Sequence, residues 1–165
     1  MLVNAVCDAS PLIFLAKLKR LDLLNIYSLF VPSQVEAEIL IGIKKKYEDV
    51  KLITEYLEQR KIKPIKSYVL KDLPDFLGDG EKSVISLAVK EKIERVLIDE
   101  SKARAVARFN GLKPKGTLGI LWDSYKAENI DRKTLEVLSL ELIEKGYRIK
   151  EELIVEFLKK IKELD

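Results

Sequence analysis

The sequence predicts an α/β domain in which a parallel sheet carries helices on both faces. Two observations predict it. Short apolar runs alternate with segments of helical spacing, the pattern of successive βαβ units, whose crossovers are right-handed. Each of the best-formed runs also ends in an acid or a proline-serine pair that opens the following helix.

Leu2 to Cys7 is mostly apolar and ends in Asp8, so it reads as a buried strand. Ser10 followed by Pro11 then predicts a helix from Pro11 to Lys19, with the serine as N-cap and the proline in the first helical position. Leu29 to Val31 is a second short strand, and Pro32-Ser33 opens another helix in which Glu36 stands three residues after the serine. Helical spacing returns from Tyr47 to Arg60, while Ile62 to Ile65 is an edge strand at most, because Pro64 cannot donate to a ladder.

A loop around Pro74, Gly78 and Gly80 precedes Glu81 to Lys92, where Val84, Ile85, Leu87, Ala88 and Val89 predict a well-buried helix. Arg95 to Ile98 is the next strand, Ser101 caps a helix that Gly111 stops, and Thr117 starts another. Beyond Ile130 come two amphipathic segments. Leu135, Leu138, Leu142 and Ile143 mark the first; Leu153, Ile154, Phe157, Leu158, Ile161 and Leu164 mark the second, with a break near Gly146. The linker from Glu128 to Asp131 is too short to separate independent units, so 1–165 is expected to be one domain, with a core over about 3–127 and a helical extension over about 131–165.

Composition narrows the chemistry. In 165 residues, 47% apolar and 35% charged, there is one cysteine and no histidine. That excludes an internal disulfide, cysteine-cluster zinc sites and every histidine-dependent triad. Carboxylates are left as the abundant reactive groups, and hard oxygen ligands select Mg²⁺ or Mn²⁺. The N-terminal residues lack the features of a secretory signal and no run reaches membrane-spanning length, so a cytoplasmic protein is expected. A net charge of +3 is too small to make the whole surface a nucleic-acid binder.

In a parallel sheet, strand C-termini and the helix starts that follow them lie along one edge, where ligands bind. Asp8 and Asp99 close strands there, and Glu36 and Glu81 occupy first helical turns. Glu36 shares a stripe with Ile39, Leu40 and Ile43, and Glu81 shares one with Val84, Ile85 and Ala88, so both acids are expected to point where their helices bury. Gathered carboxylates without compensation are costly, and a divalent cation would relieve the cost. Each acid also has a plain explanation: Glu36 completes a capping box with Ser33, Glu81 complements a helix dipole, and Asp8 and Asp99 suit turns. It is their shared edge that favours a site.

Ser10 could hold a metal-bound water or a phosphate oxygen, though capping alone accounts for it. Lys102, Arg104, Arg108, Lys113 and Lys115 form a basic stretch without an intervening acid, suited either to a nucleic-acid backbone or to a solvated face. The Lys44, Lys45, Lys46 run reads as solvated surface.

Taken in order, Val6-Cys7-Asp8-Ala9-Ser10-Pro11-Leu12-Ile13, Pro32-Ser33-Gln34-Val35-Glu36, Gly80-Glu81, Leu97-Ile98-Asp99-Glu100 and Lys115-Gly116-Thr117-Leu118-Gly119-Ile120-Leu121 resemble the PIN domain family, in a prokaryotic branch related to VapC-type toxins, over about Val3 to Ala127. The resemblance implies a three-layer α/β/α fold with a parallel sheet of about five strands. It also implies an acidic pocket of Asp8, Glu36, Glu81 and Asp99 binding Mg²⁺ or Mn²⁺, and hydrolysis of single-stranded RNA. Many active relatives carry a further aspartate after the fourth acid; this chain has Glu100 and then Ser101, so Glu100 stands in as a metal ligand or the second metal site is incomplete. Homodimers and an antitoxin protein are the partners implied. The competing expectations are an RNA-binding or assembly module that keeps the fold without turnover, and a phospho-acceptor domain, which the absence of a second aspartate after Asp8 disfavours.

Overall fold

The structure, a computed structural model, describes residues 2–42 and 47–164; Ile43 and the Lys44, Lys45, Lys46 run lie outside the described residues. Four strands pair in one parallel sheet: β1 (Val3–Cys7), β2 (Tyr27–Phe30), β3 (Arg95–Leu97) and β4 (Lys113–Lys115), in the order β2-β1-β3-β4. Ala5, Val6, Cys7, Val96 and Leu97 are fully buried, as strands covered on both faces require.

Eight helices pack around the sheet among the described residues: α1 (Ala9–Lys17), α2 (Ser33–Gly42), α3 (Tyr47–Gln59), α4 (Asp79–Glu91), α5 (Ser101–Phe109), α6 (Thr117–Lys126), α7 (Arg132–Glu144) and α8 (Glu151–Lys162). From β1 the chain passes through α1 and a 3₁₀ turn at Leu21–Ile26 to β2, then returns through α2, α3 and α4 to β3 on the other side of β1. The strand order therefore reverses between β1 and β3, which is where open parallel sheets bind ligands.

The expected edge strand reduces to a single parallel bridge between Ile65 and Pro32. The Ile65 N–H donates to Val31 O and the Ser33 N–H donates to Ile65 O, each at 2.9 Å. Pro32 and Pro64 have no N–H to continue that ladder, so among the described residues the sheet has four strands rather than about five.

Several helix starts differ from the sequence expectation, and those of α1 and α5 bear on the sheet edge. α1 begins at Ala9, two residues earlier than predicted, with Asp8 in the N-cap position. Pro11 is tolerated inside the first turn because N–H groups there have no helical acceptor, and Ser10 is freed from capping. At α5 the cap is Glu100, whose carboxylate accepts the Ala103 N–H at 2.8 Å, and Ser101 is already helical.

α7 and α8 form the expected hairpin. Leu135, Leu138, Leu142 and Ile161 are buried in the same hydrophobic core as the sheet, while Leu153 stays exposed. Phe157 of α8 meets Trp122 of α6 edge to face at 5.8 Å. The hairpin is thus tied to the α/β body by ordinary core packing, and its turn reaches the end of the sheet where Asp8 and Asp99 lie.

Candidate active site

Asp8 and Asp99 follow neighbouring strands, and the Asp8 N–H donates to Leu97 O at 3.0 Å, so the end of β1 is fastened to the end of β3. A cavity of about 500 Å³ opens there, lined by Asp8, Ser10, Glu38, Glu81, Asp99, Glu100, Tyr147 and Arg148, among others. Three of the four predicted acids, Asp8, Glu81 and Asp99, therefore meet around one cavity, and Glu100 joins them.

Glu36 does not. It lies against α3 beside a different cavity, with Ile39, Leu40, Ile53 and Leu57, and Glu38 takes the place assigned to it. The misplacement comes from the stripe chosen for α2. Val35 and Ile39 are the buried residues, whereas Leu40 is 52% and Ile41 is 70% exposed. Residues 35, 38 and 39 are spaced i, i+3, i+4, so the true core face carries Glu38 at its margin and aims it toward α4. That spacing was the available signal. The expected capping box is also absent: α2 already includes Ser33, whose hydroxyl donates to Ile65 O at 3.2 Å.

Gly80, in the first turn of α4, leaves room for two of the acids. A Cβ at Gly80 would overlap Glu38 Oε2 and lie 3.3 Å from Asp8 Oδ1. The neighbouring Glu81 reaches back to accept the Gly78 N–H at 3.0 Å, which holds its carboxylate over the start of α4.

Asp8 is buried, and no salt bridge among the described residues involves it. Loss of solvent pushes its carboxyl up from 3.8 to about 8; an N–H bond from Ala9 opposes this, and Glu38, Glu81 and Asp99 add to it by repulsion. Glu38 is raised as well, by partial burial and by its acidic neighbours Glu81 and Asp79. Glu81 is raised by partial burial and by Glu100, against the lowering effect of the Gly78 N–H. Beneath them, burial and the nearby Asp8 and Asp99 hold the Cys7 thiol far above its ordinary range, so it is no nucleophile.

Asp99 is a different kind of acid. Its Oδ2 accepts from Ser10 Oγ and Thr117 Oγ1, each at 2.7 Å, and its Oδ1 accepts from the Thr117 N–H and Tyr147 Oη, each at 2.6 Å. Four donors fill the four acceptor positions of one carboxylate. Gly116 permits this crowding, since a Cβ there would stand 2.9 Å from Asp99 Oδ1 and 3.3 Å from Tyr147 Oη. Ser10, proposed from sequence as a contact for substrate or water, spends its hydroxyl on Asp99.

Most of the predicted basic stretch is committed elsewhere. Lys115 forms an ion pair with Asp123, Lys113 with Glu94 at 2.9 Å, and Arg104 donates to the Asp99 carbonyl. Lys102 stands 6.0 Å from the centre of the Phe76 ring, and Arg108 is exposed. None of these five lines the acidic cavity; among the described residues the cation that does is Arg148, from the turn between α7 and α8. Sequence reasoning missed both Tyr147 and Arg148, because a turn after Gly146 carries no local sign of its destination.

Among the described residues, no three acidic side chains are already gathered at metal-ligating range. Asp8, Glu38 and Glu81 instead line one cavity with raised proton affinities, and two of them end flexible side chains. An all-oxygen donor set in which a buried carboxylate lacks a counter-charge fits a hard divalent cation.

A family model described as a PIN domain matches residues 4–163, a span that includes the α7–α8 hairpin. No curated protein and no solved structure matches the chain.

Proposed function

Because the chain belongs to the PIN domain family, whose members are generally nucleases that use divalent metal ions, we propose that it hydrolyses phosphodiester bonds of single-stranded RNA with Mg²⁺ or Mn²⁺. The observation that carries this reading is the buried, uncompensated Asp8 facing Glu38 and Glu81 across a cavity at the strand-order reversal. Asp8, Glu38 and Glu81 would hold the metal. When bound, the ion supplies Lewis-acid polarisation of the phosphate and a more acidic water.

Asp99 acts differently in this scheme. With its acceptor positions filled, it fixes the start of α1 through Ser10 and the start of α6 through Thr117, and so sets where Asp8 stands. Glu100 faces the cavity but uses one oxygen as a helix cap, which suits a supporting role.

The test is incubation with single-stranded RNA and Mn²⁺, comparing the wild type with Asp8→Asn, Glu38→Gln and Glu81→Gln. Cleavage is expected from the wild type alone; a variant set that still cleaves removes the mechanism. If the protein serves as a toxin, its expression arrests growth and Asp8→Asn relieves the arrest, with an antitoxin as the natural restraint and a homodimer as the working form.

A second reading has one observation in its favour. The filled acceptors of Asp99 and the dispersed acids also suit an RNA-binding module without turnover. RNA binding indifferent to divalent ions, with no product under any condition, would select it.

A further inference from the structure

The α7–α8 turn lies far along the chain from the acids of the cavity, yet Gly146, Tyr147 and Arg148 all line it. We propose that Arg148 is a phosphate-binding arm of this site, presented to an RNA substrate by Tyr147, which anchors the turn. The proposal rests on the nuclease reading of the same cavity.

Charge is the first argument. The cavity is lined by Asp8, Glu38, Glu81, Asp99 and Glu100, and among the described residues Arg148 is its one cationic side chain. A polyanion entering such a rim is repelled even when a metal neutralises part of the acid. A guanidinium offsets this: it stays charged at every working pH, and its fork matches two phosphate oxygens at once. Among the described residues, no hydrogen bond or ion pair engages the Arg148 side chain, which is exposed. In contrast with Lys113, Lys115 and Arg104, it has not been spent on the protein itself.

Anchoring is the second argument. An arm on a loose turn would bring little affinity, because ordering it would cost most of what it gained. This turn is fastened on both sides of Arg148's neighbour. Gly146 adopts φ 94°, which lets the chain reverse after α7, and the Tyr147 N–H donates to Leu142 O at 3.2 Å. The Tyr147 side chain is buried, edge-on to Phe14 at 5.1 Å, and its hydroxyl donates to Asp99 Oδ1 at 2.6 Å. One carboxylate therefore fixes both the acid-bearing strand end and the arm, so the distance from arginine to acids is set by a single hydrogen-bonded node.

The experiment measures binding of a short, labelled, mixed-sequence single-stranded RNA by fluorescence anisotropy, with Ca²⁺ in place of Mn²⁺ to suppress turnover. Arg148→Ala is expected to weaken binding about tenfold. It should also make the slope of log affinity against log salt shallower by about 0.7, the signature of one lost phosphate contact on a single strand. Mn²⁺ affinity, measured by calorimetry without RNA, should not fall, and Arg148→Lys should recover only part of the binding. Tyr147→Phe keeps the ring packing but removes the anchor. It should weaken RNA binding about threefold when Arg148 is present and add nothing to Arg148→Ala, the non-additivity expected of a positioning residue.

Arg148→Ala that binds RNA like the wild type, or that binds more weakly with an unchanged salt slope, overturns the arm while leaving the nuclease reading intact. A wild type that binds no RNA under any divalent condition overturns both.

Discussion

Replacing Asp8 by asparagine should stabilise the metal-free protein at neutral pH, although it removes a side chain from the centre of the site. The Asp8 carboxyl is raised from 3.8 to about 8 by burial and by the acids around it. Between those values the folded state keeps a proton that the unfolded chain has released. The sign follows directly: stability associated with this group is complete below the unfolded value and falls as pH rises toward the folded one, by roughly 1.4 kcal/mol per pH unit. From about pH 5 to about pH 7.5 the wild type should therefore lose on the order of 3 kcal/mol through Asp8 alone, an upper bound because buried groups relax and admit water.

Asparagine does not titrate, and its amide oxygen can still accept the Ala9 N–H. Urea unfolding of both proteins at a series of pH values, without metal, measures the difference. The Asp8→Asn curve should fall less steeply across that interval, so that the variant is the more stable protein at the upper end. At this chain length each kcal/mol corresponds to roughly 2–4 °C in Tm. Saturating Mn²⁺ should then stabilise the wild type by mass action and leave the variant nearly unaffected. Parallel pH profiles, or a variant less stable than the wild type at about pH 7.5, would show that Asp8 is not held against its charge and would undo the electrostatic argument for a cation.

Three further outcomes follow from the same geometry. Glu38→Gln should weaken Mn²⁺ binding by tenfold or more in calorimetry while Glu36→Gln stays near wild type; the reverse order would mean that α2 presents its other face. Gly80→Ala should change thermal stability little, since the new methyl overlaps the movable end of the Glu38 side chain and lies 3.3 Å from Asp8 Oδ1, yet it should displace the Glu38 carboxylate and reduce Mn²⁺ affinity. Thr117→Val removes a buried hydroxyl that donates to Asp99 while keeping the backbone N–H bond, and should cost roughly 1–3 kcal/mol in urea unfolding.

Strand ends and helix starts were the legible part of this site. Asp8 and Asp99 could be placed because an apolar run followed by an acid locates the sheet edge without three-dimensional information. Glu38 was hidden by its neighbours: Leu40 and Ile41 look like core residues, and only the finished helix shows them exposed. The fifth strand shrank to one bridge because two prolines deny the ladder its donors, an effect that Pro64 signalled and Pro32 completed. Basic residues misled in the opposite direction. Lys113 and Lys115 look available in the sequence, but Lys115 is held by Asp123, in the second turn of α6, and Lys113 by Glu94, just before β3. Tyr147 and Arg148 were invisible for a simpler reason, since their contacts depend on how the hairpin docks and not on any nearby spacing.

The order of the chain itself then acquires meaning. A ribosome delivers Asp8, Glu38, Glu81 and Asp99 well before it delivers Tyr147 and Arg148. A nascent chain still short of the α7–α8 hairpin holds the acids but neither the phenol that steadies Asp99 nor the guanidinium at the rim. On the proposed function, the nuclease would thereby remain unfinished until the α7–α8 hairpin has been made.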